Sequence, residues 1–261
     1  MKSVLAKAAK AAIARDPFPY LVIENALDEA LCARLIAEYP SLDILAQGEE
    51  PGSNRRFSYP AHLALANKRV SATWKSIVRT HLTRAFWKEI AACFGDEIRR
   101  LYPAIEREAG PLEGLSVGVR GRDKRRDILL DAQICANAPV SGPPSPCRPA
   151  HVDSPRKLFS GLFYLRQEDD RSVGGDLELL KAKRPDFHST SYEVDAASCE
   201  AVRTIANASN VLVFYINSPV ALHGTNLRAA APSTRMLFNL VGEVQKPLFE
   251  GAGPGALRLR R

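Results

Sequence analysis

Long apolar runs are missing from this chain of 261 residues. The longest, such as Val211–Ile216, have the length of a strand, so nothing in the sequence predicts a membrane span. The N-terminal stretch MKSVLAKAAKAAIAR lacks an unbroken apolar centre, because Lys7, Lys10 and Arg15 interrupt it. It predicts an amphipathic helix begun by Ser3 rather than a signal peptide, and the expected location is the cytoplasm. Cysteine is sparse as well. Cys32, Cys93, Cys135, Cys147 and Cys199 are scattered, with no C-x-x-C pair, so neither a disulfide framework nor a zinc site is suggested. Reduced, mostly buried thiols are expected. The third shortage is of aromatics among the basic residues. The net charge is +7, with clusters at 120–126 and at Arg258, Arg260 and Arg261, yet no aromatic side chain interleaves either cluster. A single-strand nucleic-acid groove needs that interleaving. The charge therefore reads as solvated surface and a basic tail over 246–261, able at most to attract a small anionic substrate. Neither nucleic acid nor membrane is an expected partner. The oligomeric state stays open, a homodimer included.

What the chain does have is enough apolar content, 46%, for a full core, and a clear change of period along its length. Residues 1–113 read as mainly helical support. Tyr20–Ile23 predicts a short strand after the Pro17/Pro19 turn, and Asp28 caps a helix carrying Leu31, Leu35, Ile36 and Tyr39. A longer helix is expected over about 70–94, with Trp74, Ile77, Val78, Phe86, Ile90 and Cys93 on one stripe and Gly95 as its stop. His81 lies on that stripe and reads as a packing histidine. The polar stretch 47–60 reads as an exposed loop.

From about residue 114 the period becomes that of strands. Runs at 115–119, 128–134, 159–165, 177–180, 211–216 and 236–241 are separated by turns rich in Gly, Pro, Asn and Asp. This gives an α+β class, a β-barrel or sandwich over 114–245 backed by the N-terminal helices. No repeat or dividing linker appears, so one domain over 1–261 is expected. The stretch 136–150 holds five prolines and leads straight into His151, so it can form one wall of a pocket. The connector 184–203, with His188 read as exposed, is long enough to act as a lid.

The chemistry-bearing residues begin at His151-Val152-Asp153. In a strand, residues i and i+2 share a face, so both side chains can reach one ion. A third ligand must come from a neighbouring segment, and His223 follows the apolar run at 211–216. Two imidazoles and one carboxylate on one face of a metal suit Fe(II) and leave the opposite face open, although zinc or manganese could also occupy the set.

Two blocks carry a resemblance. The first, HVDSPRKLFSGLFYLRQEDDRSVGGDLELL, spans 151–180; the second, NVLVFYINSPVALHGTNLRAAAPSTRMLFNLVGE, spans 210–243. Over about 128–244 the chain resembles the Fe(II)/2-oxoglutarate-dependent dioxygenases, most nearly their prolyl-hydroxylase-like branch. That resemblance implies a double-stranded β-helix (jelly-roll, cupin-like) barrel. It makes His151, Asp153 and His223 the iron ligands, and Arg235 the partner of the far carboxylate of 2-oxoglutarate, which a guanidinium fork suits. Tyr164 would add its hydroxyl to the same carboxylate. Asn239, two alternations beyond Arg235, should face the same pocket, and Asn137 stands where members often carry a tyrosine. The implied cofactors are Fe(II), 2-oxoglutarate and O2, and the implied reaction is hydroxylation coupled to decarboxylation of 2-oxoglutarate to succinate.

The chain departs from the pattern in its spacing. Arg235 lies twelve positions after His223, where some members have nine or ten; Arg228, at five, is the runner-up but reads as loop. Leu237 replaces the usual Ser or Thr. The substrate is expected to be a small molecule. Arg156 and Lys157 either meet an anionic group or are exposed turn charges, and Gln133 is placed to face the pocket. Two alternatives stand beside this reading, a protein (prolyl-type) hydroxylase and a non-catalytic metal- or ligand-binding barrel acting as a sensor.

Overall fold

The computed structural model describes residues 1–9, 12–184 and 193–250. The chain enters through β1 (Tyr20–Glu24) and α1 (Glu29–Ala37), whose cap Asp28 accepts the amides of Ala30 and Leu31. There follow α2 (Leu42–Ala46), β2 (Arg56–Tyr59), α3 (Ala61–Ala66), α4 (Ala72–Thr80), α5 (Arg84–Leu101) and α6 (Ala104–Ala109). The second half holds β3 (Val117–Val119), β4 (Ile128–Asn137), β5 (Ser145–Pro146), β6 (Lys157–Tyr164), β7 (Leu177–Ala182) and β8 (Cys199–Ile205). It ends with β9 (Val211–Ile216), β10 (His223–Thr225), β11 (Leu227–Arg228) and β12 (Arg235–Val244).

Seven strands form one sheet in the order β1-β9-β6-β12-β4-β2, with β3 parallel to β4. A three-stranded sheet β10-β7-β8 lies against its inner face, and β11 pairs with β5. This is a double-stranded β-helix-like arrangement backed by helices, but among the described residues the expected closed barrel is not formed. The large sheet ends at β1 and β2, and β10 is continued only by the single bridge His151↔His223 rather than by a ladder. Among the described residues no helix is long and apolar enough to cross a membrane. All five cysteines are buried, and none is in a disulfide.

Strand alternation divides the core. On one side of the large sheet Met236, Phe238 and Leu240 of β12, Leu212, Phe214 and Ile216 of β9, and Ile134 and Ala136 of β4 pack against Trp74, Phe86, Ile90 and Phe94 of the helices. On the other side Leu237, Tyr164, Val213 and Tyr215 meet Leu177 and Leu179 of the small sheet. Because β-strand side chains alternate strictly, each large-sheet strand supplies both layers at once.

Five expectations need correction. The single helix over 70–94 is two helices, broken at His81 because the Thr83 hydroxyl caps α5 by accepting the Phe86 amide at 3.2 Å. Gly95 does not stop α5, which continues to Leu101 and gives out before Pro103. A Cβ at Gly95 would lie 3.0 Å from Arg99 Nη1, so the glycine leaves room for a neighbour. The N-terminal segment forms turns rather than a helix from Ser3, with Val4 and Leu5 buried and the Val4 amide donated to His81. Finally, residues 56–59 of the expected loop are β2, and residues 199–203 of the expected lid belong to β8, paired with β7. His188 and the terminal arginines lie outside the described residues.

Candidate functional site

The pocket between the two sheets can be built row by row from strand register. Arg56, Asn137 and Arg235 form one row across β2, β4 and β12. Ser58, Cys135, Leu237 and Tyr164 form the next, then Gln133, Asn239 and Leu162. Asp131, Val241, Ser160 and Tyr215 form the fourth. The long basic side chains stand at one end and a tyrosine and serine at the other. The space they enclose is a cavity of about 100 Å³.

The metal-ligand set converges at the Ser160–Tyr215 end. His151 and Asp153 lie just before β6, and His223 opens β10; reciprocal backbone hydrogen bonds of 2.9 and 3.0 Å between the two histidines lock their segments together. One ligand atom from each of His151, Asp153 and His223 lies within 4.8 Å of the others, and all three residues are buried. Nδ1 of His151 is 2.8 Å from the Pro149 carbonyl, and Nδ1 of His223 is 2.9 Å from the Ala221 carbonyl. A carbonyl can only accept, so each Nδ1 carries the proton and each Nε2 presents a lone pair toward the carboxylate, 3.9 and 4.0 Å from it. Burial lowers both imidazoles below the usual histidine range; for His151, His223 and Arg148 push further and hold it well below. Both rings are thus neutral near pH 7 and ready to ligate.

Asp153 is held on three sides. Lys157 Nζ donates to Oδ1 at 2.7 Å, and Ser160 Oγ and Tyr215 Oη donate to Oδ2 at 2.7 and 3.1 Å. Burial alone would raise its carboxyl, but Lys157 foremost outweighs that and keeps it well below the usual carboxylate range. Tyr215 Oη is also 2.8 Å from His223 Nε2. Burial pushes this phenol well above its usual value, so it keeps its single proton, which serves Asp153 Oδ2 or His223 Nε2 but not both at once.

Arg235, Tyr164 and Asn239 all line the cavity, as does Gln133. The Arg235 guanidinium lies 5.0 Å over the Tyr164 ring. Arg235 Nε and Tyr164 Oη are both buried without a hydrogen-bond partner. Buried polar atoms seldom stay so, and the pair points to a ligand that completes them. Asn239 Nδ2 donates to Gln133 Oε1 at 2.7 Å on the cavity floor. Asn137 is not among the lining residues; its amide donates to the backbone carbonyls of Asn54 and Cys147. Arg228 does not line the cavity either. It is fully buried and ties the Ala138 and Ser233 carbonyls. Arg156 stays outside the cavity, whereas Lys157 enters it.

Sequence reasoning missed Ser160, Tyr215, Arg56 and Arg148. Ser160 carries a usable signal, as a polar residue on the inner alternation of β6, whereas Tyr215 lies in an apolar strand buried on both faces and carries none. Arg148 lies in the proline-rich stretch and is the one residue of that stretch lining the pocket. The Gly-Gly step before β7 also has a local cause: Gly174 has φ of +78°, and a Cβ there would overlap the Leu227 carbonyl oxygen of β11.

No protein-family model and no curated protein sequence matches the chain. Among solved structures it is similar to a prolyl 4-hydroxylase from Phytophthora capsici, at 14% identity and a TM-score of 0.55, over 98% of this chain and 71% of that one. At that identity the likeness shows a shared fold. It is also similar to HygX from Streptomyces hygroscopicus, with nickel and 2-oxoglutarate bound, at 14% identity and a TM-score of 0.45, over 87% of this chain and 83% of that one. A 2OG-Fe(II) oxygenase-family oxidoreductase from Burkholderia pseudomallei gives 14% identity and a TM-score of 0.44, over 89% and 87%. With TM-scores under 0.5, these two add no argument.

Proposed function

We propose that this chain is an Fe(II)- and 2-oxoglutarate-dependent dioxygenase that hydroxylates a C–H bond of a small molecule. One observation carries the reading: three buried metal-ligand atoms within 4.8 Å of one another share a cavity with an arginine stacked on a tyrosine, each with an unpartnered buried polar atom. The donor set fits ferrous iron, with two neutral imidazoles and one carboxylate leaving positions open for other ligands. His151, Asp153 and His223 would hold the ion, and Arg235 with the Tyr164 hydroxyl would take the far carboxylate of 2-oxoglutarate. When bound, iron and 2-oxoglutarate supply the oxidising step with O2, releasing succinate and CO2.

The chain's own residues do the positioning. The Pro149 and Ala221 carbonyls fix the two ring tautomers. Lys157 and Ser160 fix the carboxylate plane and keep Asp153 ionised. Gln133 and Asn239 offer polar groups on the floor between the two ends, where they would meet cosubstrate or substrate. Asn137 serves the wall, through the Asn54 and Cys147 carbonyls, rather than the cosubstrate.

The test is the anaerobic visible spectrum of purified protein with Fe(II), with and without 2-oxoglutarate. A charge-transfer band that needs both is expected. Metal bound without such a band would overturn the reading in favour of a metal-binding sensor. Succinate release that accelerates with peptides rather than metabolites would move the substrate class to proteins.

A further inference from the structure

The metal cavity does not end at Asp153. A second cavity of about 240 Å³ shares Ser58, Gln133 and Lys157 with it and adds Arg120, Ser154, Val241 and Glu243. Strand alternation fixes where it lies. Arg235, Leu237, Asn239, Val241 and Glu243 are alternate residues of β12 and stand on one face, with Arg235 at one end and Glu243 at the other. The second cavity therefore extends the first on the side away from the cosubstrate arginine. Arg120, Ser154, Lys157 and Glu243 are only partly buried, so it opens to solvent.

We infer that this second cavity is the substrate subsite and takes a neutral, hydroxylated small molecule, with Arg120 and Glu243 setting specificity. This inference rests on the oxygenase reading above. The charges in the cavity are already paired. Arg120 Nε lies 2.9 Å from Glu243 Oε2 and its Nη1 3.3 Å from Asp131 Oδ2, while Lys157 Nζ lies 2.7 Å from Asp153 Oδ1. A charged substrate group would have to break one of these pairs, at the cost of leaving a partly desolvated charge behind. A hydroxyl makes no such demand. A guanidinium has five N–H donors and a carboxylate two oxygens, so Arg120 can still donate and Glu243 can still accept, side by side. A hydroxyl group both donates and accepts, and it matches that pair.

The recognition pair is held in place from behind. The Arg120 amide donates to the Leu130 carbonyl at 2.9 Å, which ties its backbone to β4. Asp131 is buried, with Oδ1 accepting the Ala61 amide at 2.9 Å and Oδ2 accepting Gln133 Nε2 at 2.8 Å. Gln133 in turn accepts Asn239, so one polar chain runs from the floor of the metal cavity to Arg120 and Glu243. Burial would lower the Arg120 guanidinium, but Glu243 and Asp131 outweigh it and hold the group above its usual value. Arg120 is thus a fixed, charge-compensated donor, suited to an oxygen that carries no charge of its own. The substrate class this describes is a polyol or sugar-like molecule gripped by hydroxyls at its outer end. Its inner end would then lie past Lys157, beside Asp153 and the metal.

The experiment is proton NMR of small-molecule probes with the full chain loaded with Mn(II), which replaces iron without turnover and speeds the relaxation of protons held near it. The 2-oxoglutarate protons are recorded first. If the metal does not relax them, the oxygenase reading fails by itself, and the remaining probes are measured by calorimetry on the metal-free chain. With 2-oxoglutarate saturating, glucose, myo-inositol and mannitol are compared with anionic gluconate and cationic N-methylglucamine. The expected result is saturable relaxation of at least one neutral polyol, with weaker binding of both charged probes. Arg120→Gln and Glu243→Ala should each weaken polyol binding about tenfold or more, while the relaxation of 2-oxoglutarate is kept. Arg120→Lys, which keeps the charge between Asp131 and Glu243 without the fork, should fall between and covers the case in which Arg120→Gln does not fold. The inference is overturned by absence of saturable polyol binding, or by a charged probe that binds as tightly as the best neutral one. Polyol binding unchanged in both the Arg120 and Glu243 substitutions overturns it equally.

Discussion

On the helix side of the large sheet, His81 sits fully buried between Phe86 and Phe238, at ring distances of 4.7 and 5.3 Å. Its Nδ1 meets the Ile77 carbonyl at 2.7 Å, and its Nε2 accepts the Val4 amide at 3.0 Å. On the opposite side His151 and His223 are buried nearly as deeply, and each also ties Nδ1 to a carbonyl. Their Nε2 atoms, however, turn toward a carboxylate and a cavity rather than toward the backbone. Burial lowers all three pKa values, so depth and pKa do not separate the structural histidine from the two candidate ligands. What separates them is where the second nitrogen's lone pair goes.

Substitutions on the two faces should break the comparison in opposite senses. Asp153→Ala removes the only carboxylate of the ligand set, and we expect complete loss of stoichiometric iron binding and turnover. Fold should survive, because Lys157, its ion partner, is partly exposed and can reach water. Metal analysis beside circular dichroism checks this, and full metal occupancy in the variant would falsify the site assignment. On the other face, Phe238→Ala empties a buried volume against Trp74 and His81. It should cost about 3–5 kcal/mol in denaturant unfolding, with iron affinity in the folded protein preserved.

The same contrast explains what was legible in the sequence. Strands β4, β6, β9 and β12 announced themselves as apolar or alternating runs, and the i, i+2 spacing of His151 and Asp153 was enough to predict that both side chains reach one point, where they cluster with His223. His81 was readable because it falls on a helical stripe. Less legible were residues whose role depends on pairing across distant segments. Arg56 hides in a polar stretch whose strand is only four residues long and becomes visible through its register with Asn137. Tyr215 sits in an uninterrupted apolar run, where a strand buried on both faces gives no alternation to read. The failure of the barrel to close lies in edge pairing, which side-chain pattern does not encode. The break at His81 follows from the Thr83 cap overriding a continuous stripe.

pH separates the faces on a smaller scale. His81 has its pKa pushed by burial to about 4, below the ordinary 6.5. Between those values the unfolded chain binds the proton and the folded chain does not, so stability rises with pH across that window and is flat above it. As pH falls from 6.5 to 4 this one residue should withdraw about 3 kcal/mol. His151 and His223 add a slope of the same sign. The test is therefore a difference, with His81→Gln in metal-free protein flattening the fall relative to the unsubstituted chain at each pH. An unchanged slope would mean that His81 is not the buried neutral ring described.

The smallest effect sharpens the comparison with two buried arginines. Arg228 donates to the Ala138 carbonyl at 3.0 Å and to Ser233, whose hydroxyl reaches Asp170 at 2.6 Å, so its work is to join loops. Arg235 stacks on Tyr164, with its Nε unpartnered inside the cavity. Arg235→Ala should therefore weaken 2-oxoglutarate binding by about 1.5–3 kcal/mol, the range for a hydrogen bond to a charged group, read by titrating the ferrous charge-transfer band. Arg228→Ala should instead lower the unfolding midpoint and leave that titration nearly unchanged. The reverse outcome would hand the cosubstrate to the arginine nearer His223 in sequence. It would also require the Ala138 and Ser233 carbonyls to give up their partner when the cosubstrate binds, a rearrangement visible as loss of amide protection in hydrogen exchange around both loops.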